Sequence, residues 1–153
     1  MRLYLVQHGR PVPKEQDPDR PLSDEGRREV ERVANFLRQA GIRVPRVEHS
    51  GKTRAAQTAE LLVERVNPGA AAEPRSGLGP LDDPASFISS IAEQEEDRML
   101  VGHLPHLDRL ASLLAAGDQE AGVADFKQGG VVCLVRGDSG SWSIAWMVVP
   151  ELF

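Results

Sequence analysis

The sequence has one cysteine, Cys133, so no intrachain disulfide can form and no cysteine-based metal site is available. That fits a reducing compartment. A basic excess is also missing. Lys and Arg together number 18 against 23 Asp and Glu, for a formal net charge of −5. Nucleic-acid binders usually show the opposite imbalance, so no nucleic-acid partner is expected. No apolar run approaches the ~20 residues a membrane helix requires, so no membrane association is expected either. No charged segment followed by a long apolar one stands near Met1, and the expected location is therefore cytoplasmic. Internal repeats and low-complexity tracts are absent. What remains is a chain of 153 residues, 41% hydrophobic and 27% charged, which suits a single domain over 1–153 with a core of its own.

The pattern along the chain alternates. "RLYLVQ" at 2–7 reads as a short buried strand, and the Pro- and Asp-rich stretch after it as a loop. Ser23 is placed to cap a helix, with Asp24 and Glu25 in the first turn, where the dipole favours acids. Val30, Val33, Ala34 and Leu37 then share one helical face, and Gly41 can end the helix. Residues 46–49 form a second strand. Ser50 is expected to cap the helix that follows, whose apolar face carries Ala55, Ala59, Leu62 and Val66. A short strand is expected near Ala72. Asp83 followed by Pro84 reads as an N-cap and a proline at the first helical position. "RMLVG" at 98–102 is a further strand, and Pro105 opens a helix buried through Leu107, Leu110, Ala111 and Leu114. The segment from Gly129 to Val149 reads as two strands joined at "GDSG". Trp142 and Trp146 within it are expected to pack in the core or at a sheet edge, and Cys133 to be an inert buried thiol. Alternating strands and helices predict an α/β fold, a three-layer α/β/α sandwich with a mostly parallel central sheet and a C-terminal hairpin.

In such sheets ligands bind beyond the carboxyl ends of the strands. All four histidines, His8, His49, His103 and His106, are expected on that side. The i, i+3 spacing in "HLPH" keeps a metal site open as an alternative. Arg54 falls in the first turn of a helix after a strand, where free N–H groups and the dipole already favour anions. Its planar fork suits two phosphate oxygens.

Three motifs in order, "QHG", "HSGKTRAAQTAE" and "VGHLPH", resemble the histidine phosphatase superfamily, which includes the phosphoglycerate mutases. "DRPLSDEG" and "GHLP" most resemble its SixA-type phosphohistidine phosphatases. The resemblance runs from Met1 to about Leu114. It implies that His8 is the nucleophile that takes the phosphoryl group, with Arg54 and His103 contacting that group. It further implies phosphate-site positions at Gln7, Gly9 and Arg20. No metal or other cofactor is then required, because Arg54, His103 and backbone amides can supply the positive field. The substrate implied is phosphohistidine on a protein, with histidine-containing phosphotransfer domains as a partner class. Small phosphorylated metabolites, or a phosphate-binding pseudoenzyme that recognises phosphoproteins, are the alternatives.

The chain departs from the family pattern twice. Gln7 stands where Arg-His-Gly is usual, which removes a permanent cation; Arg10 or Lys52 could compensate. No glutamate occupies the loop after the second helix, where many members hold a general acid. Asp82 and Asp83 are the nearest carboxylates, the first expected to be solvated and the second a cap.

Overall fold

A computed structural model describes residues 1–153. The elements run β1 (Arg2–Gln7), α1 (Asp24–Gln39), β2 (Arg46–His49), α2 (Thr53–Val66), β3 (Glu73–Pro74), α3 (Pro84–Ile91), β4 (Arg98–Gly102), α4 (His106–Ala116), β5 (Val131–Arg136) and β6 (Trp142–Val148). A 3₁₀ turn over Pro150–Leu152 follows. One six-stranded sheet has the order β3-β2-β4-β1-β5-β6.

Period-two alternation decides which helices cover which face. Tyr4 and Val6 of β1, Met99 and Val101 of β4, and Val131 and Cys133 of β5 pack with Val33 and Leu37 of α1 and Ala59 and Leu62 of α2. Their neighbours Leu3, Leu5, Leu100, Val132 and Leu134 face Phe87 and Ile91 of α3 and Leu107 and Leu110 of α4. The result is the expected three-layer sandwich. Its sheet is less parallel than expected. The β3–β2, β2–β4 and β4–β1 pairings are parallel, but β5 inserts beside β1 antiparallel to it, and β6 pairs antiparallel to β5. A tight turn joins β5 to β6, and such a connection can only reverse the chain.

A register shift lies opposite Cys133 and Leu134, which pair with Trp146 and Ile144. The bulge changes the parity of β6. Trp146 therefore joins the α1/α2 layer, its ring centroid 5.9 Å from that of Tyr4, while Trp142 joins the α3/α4 layer.

The segment after β1 is locked onto α1. Ser23 caps this helix by accepting from Gly26 N, and its own Oγ donates to Arg10 O at 3.0 Å. A Cβ at Gly26 would meet Arg10 O at 2.1 Å, and one at Gly9 would meet Val30 Cγ2 at 2.7 Å. Both glycines thus permit the close approach that fixes the backbone beyond His8. The expected cap at α3 is present, with Asp83 accepting from Ala85 N. The expected cap at α2 is not. That helix begins at Thr53, Lys52 is its N-cap without a side-chain bond, and Ser50 lies too far back to serve.

Candidate active site

Strands β2, β4 and β1 are adjacent, and their carboxyl ends finish side by side. Gln7 is in register with Gly102, and His8 N donates to Gly102 O at 3.0 Å. Each strand continues by one residue into a histidine, so the rings of His8 and His103 lie 5.0 Å apart between centroids. His8 Nδ1 lies 2.7 Å from Gly9 O. A carbonyl oxygen only accepts, so Nδ1 carries the hydrogen and Nε2 of the neutral ring keeps its lone pair. Burial, opposed by the bond to Gly9 and assisted by Arg54 and Arg20, lowers the His8 pKa to about 4. His103 is pushed to about 3, chiefly by burial and then by His8, Arg54, Lys52 and His106. Both rings are neutral near pH 7.

Arg54 is the second residue of α2, and its Nε is buried without a partner. Burial and then Arg20 lower its pKa. Arg20 has φ of 49°, in the left-handed region that a non-glycine residue seldom occupies. Its Nε donates to Val12 O at 3.4 Å, while Val12 N donates to Pro21 O and Leu22 N to Gln57 Oε1. The loop from Pro11 to Leu22 is thus clipped shut and tied to α2, with Arg20 held near Arg54 and His8. Neither Arg54 nor Arg20 makes an ion pair. Two unpaired guanidiniums beside two neutral imidazoles favour an anion.

Other expected positions behave differently. Gly9 N donates to Thr58 Oγ1 at 2.9 Å, and Thr58 donates in turn to Arg54 O at 2.8 Å. The Gly9 amide is therefore engaged by the protein, and the residue's importance lies in close packing. Gln7 has Oε1 buried without a partner, at the end of β1. Arg10 is tied to Glu29 at 3.2 Å and does not replace the missing cation. Lys52 acts on His103 through its charge.

The four histidines do not form one cluster. His49 Nδ1 accepts from Gly51 N at 3.0 Å and holds the turn after β2. His106 opens α4 and is fully buried, edge-on to Phe87, with burial lowering its pKa first of all causes. No group of three or more His, Cys, Asp or Glu side chains is arranged to hold a metal ion.

Both carboxylates of the loop before α3 accept a backbone N–H. Asp82 Oδ2 accepts from Gly79 N at 2.7 Å, and Asp83 Oδ1 from Ala85 N at 3.0 Å. Asp82 is exposed in the loop, as expected, and its carboxylate also holds the turn at Gly79. None of the five principal surface cavities is lined by His8, Arg54 or His103, and the largest, between α3, α4 and the β5–β6 turn, sits near Met1 at the other end of β1.

Thr58, Gln57 and the environment of Ser50 were not anticipated. The spacing of Gln57 and Thr58, three and four residues after Arg54, was the available signal, since all three share one helical face. Ser50 Oγ lies 2.7 Å from His103 Nε2.

Comparison with known proteins accords with this geometry. No helix is long and apolar enough to cross a membrane. An uncharacterised protein of Picosynechococcus is 31% identical over 144 residues, which cover 90% of this chain and 86% of that one. Phosphohistidine phosphatase SixA of Escherichia coli is 25% identical over 155 residues, covering 98% and 94%. The solved structure of the protein histidine phosphatase SixA complexed with tungstate shares 24% identity and superposes with a TM-score of 0.87, covering 99% of both chains. A mycobacterial glucosyl-3-phosphoglycerate phosphatase superposes at 0.75 with 15% identity, covering 95% and 97%. At these identities the structural likeness speaks for the fold alone. The family model of the histidine phosphatase superfamily (branch 1) spans residues 3–79, a stretch that contains both His8 and Arg54. The chain belongs to the histidine phosphatase superfamily and is a phosphatase of that family, similar to its SixA-type members.

Proposed function

We propose that the substrate is phosphohistidine on a protein, and that His8 is the nucleophile. One observation carries the substrate class: the loop between β3 and α3 holds no glutamate, and its two carboxylates brace the loop itself, Asp82 at Gly79 N and Asp83 at Ala85 N. An alkoxide leaving group needs a proton donor, and neither carboxylate is among the charges that act on His8 or His103. A phosphorylated imidazole whose other nitrogen is protonated leaves as a neutral ring and needs none.

The chemistry proceeds in two transfers. In the first, the lone pair of His8 Nε2 forms a bond to phosphorus while the substrate P–N bond breaks and its electrons return to the leaving imidazole. Phosphorylated His8 is then imidazolium-like, and its Nδ1–H remains bonded to Gly9 O. In the second, water forms the new P–O bond, the His8 P–N bond breaks, and dihydrogen phosphate departs with both protons of the water. His8 returns to its neutral form. Arg54, Arg20 and His103 stabilise the equatorial oxygens, where charge is spread in the transition state.

A substrate panel tests this. A phosphohistidine-bearing protein should be hydrolysed far faster than serine, sugar or nucleotide phosphomonoesters. A preference for any of those monoesters would sink the substrate assignment. Acid-labile, base-stable labelling at residue 8 with a 32P phosphodonor should accompany turnover.

A further inference from the structure

We propose that Ser50 is a positioning residue that turns neutral His103 into a hydrogen-bond donor, by giving its hydroxyl proton to Nε2 and so keeping the ring hydrogen on Nδ1, toward the phosphoryl site. This rests on the reading above that the site receives a phosphoryl group.

The geometry begins with the turn after β2. Ser50 N donates to Val101 O at 3.2 Å, which fastens the turn to the end of β4 two residues before His103. Gly51 takes φ of 92°, and its N–H returns to His49 Nδ1. Together these bonds present Ser50 Oγ to His103 Nε2 at 2.7 Å. A serine–imidazole contact allows two arrangements, in which either the hydroxyl or the ring donates. Lys52 N lies 3.4 Å from Ser50 Oγ and can only donate to it, so Nε2 is the one acceptor the hydroxyl hydrogen meets, and the arrangement in which the ring donates would leave that hydrogen unpaired.

The other side of the ring gives the second argument. His103 Nδ1 is buried and has no partner in the protein. With Nε2 occupied by Ser50, Nδ1 is the nitrogen left for a ligand. A bare Nδ1 would turn its lone pair toward phosphoryl oxygens and repel them, whereas Nδ1–H donates to them. A neutral imidazole can serve an anion only in one tautomer, and the bond at one nitrogen sets the state of the other. This matters more here because Gln7 has removed a cation and His103 is uncharged at neutral pH.

The test reads the tautomer directly. In protein labelled with 15N-histidine, long-range 1H–15N spectra of His103 should show Nδ1 protonated and Nε2 bare. In Ser50→Ala the Nδ1–H form should lose its dominance. Turnover of phosphohistidine should fall about tenfold, in kcat more than KM, the scale of one lost hydrogen bond. Ser50→Thr, which keeps the hydroxyl, should restore both. An Nε2–H tautomer in the unmodified protein overturns the proposal without any variant, and so does an unchanged tautomer in Ser50→Ala. The spectrum does not depend on which substrate is hydrolysed. If phosphohistidine is not turned over, the substrate reading falls while the role of Ser50 still stands or falls on the tautomer.

Discussion

Arg98 and Arg75 close on the carboxylate of Glu48 at 2.8 and 3.0 Å, whereas Arg54 and Arg20 meet no carboxylate. The two regions share β2, whose Glu48 begins one network while the turn after His49 borders the other. In the first, Arg98 and Glu48 are both almost fully buried, and the two guanidiniums share the one carboxylate. In the second, burial and then the charge of Arg20 lower the pKa of Arg54, and no carboxylate neutralises either guanidinium. A buried charge without a partner is costly. The first region draws its counter-charge from the protein itself, whereas on the proposed function the second receives it from the phosphoryl group. Neutralising a residue should therefore damage stability in one and function in the other.

The largest effect is expected at His8. His8→Ala should abolish phosphoryl transfer, by at least about 10³-fold, while leaving the circular dichroism spectrum and melting temperature nearly intact. Turnover above a small fraction of normal in that variant would remove His8 from the mechanism. A pH signature goes with it. On the proposed mechanism His8 attacks as a neutral base, and its folded pKa of about 4 lies below the ordinary 6.5. The acid limb of kcat/KM, measured with a chromogenic phosphate ester that survives acid, should fall nearer pH 4 than 6.5. The linkage has a matching sign. Below pH 6.5 the unfolded chain takes up protons at His8 and His103 that the native state refuses until about 4 and 3. Stability conferred by these depressed values is thus present above pH 6.5 and declines as pH falls toward them. Urea midpoints at pH 7 and 5 should differ by less in His8→Ala than in the unmodified protein.

Arg54 and Glu48 give the sharpest contrast. Arg54→Ala should cost about 10²–10³-fold in kcat, the scale for one preorganised donor at a developing charge. It should leave the melting temperature unchanged or slightly raised, because a buried, unpaired cation is gone. Glu48→Ala should do the reverse. It strands the buried Arg98 guanidinium and should destabilise the fold by about 3–5 kcal/mol. Affinity for tungstate, measured by calorimetry well below the melting transition, should change little. If Glu48→Ala abolished anion binding at temperatures where the protein remains folded, the two regions would be one coupled network.

The sequence reveals the two regions unequally, for a physical reason. Periodicity exposes elements whose burial is dictated by one apolar face, and so β1, α1, β4 and α4 are legible, as is the Asp83–Pro84 start of α3. His8, Arg54 and His103 are legible because each lies at a strand or helix end on the side where α/β sheets bind ligands. Partnerships over long sequence separations are not legible. Nothing local indicates that Glu48 will meet Arg98 fifty residues on. Nothing local shows that Thr58 will take the Gly9 amide, or that Ser50 will serve His103 rather than α2. A cap is a local bond and Ser50 has the right chemistry for one, but the turn at Gly51 carries it toward β4 instead. The bulge in β6 is hidden likewise, since residues 142–148 give no sign of a parity change and Trp142 and Trp146 look like residues on one face.

The smallest effect, and the finest test of the contrast, is Gln7→Arg. Gln7 ends β1 next to His8, and its Oε1 has no partner. A neutral amide donor is worth roughly half a charged one, so restoring the cation should tighten tungstate binding by about tenfold or less. The added charge enters a region that already holds Arg54 and Arg20 without counter-charge, and so it should lower the melting temperature of the free protein. With saturating tungstate the order of stabilities should reverse, because a ligand that binds only the folded state stabilises it more as affinity rises. The opposite pairing, with unaltered tungstate affinity and a higher melting temperature, would show that position 7 belongs with the paired charges of the scaffold. In that case Arg54, Arg20 and His103 would hold the anion without it.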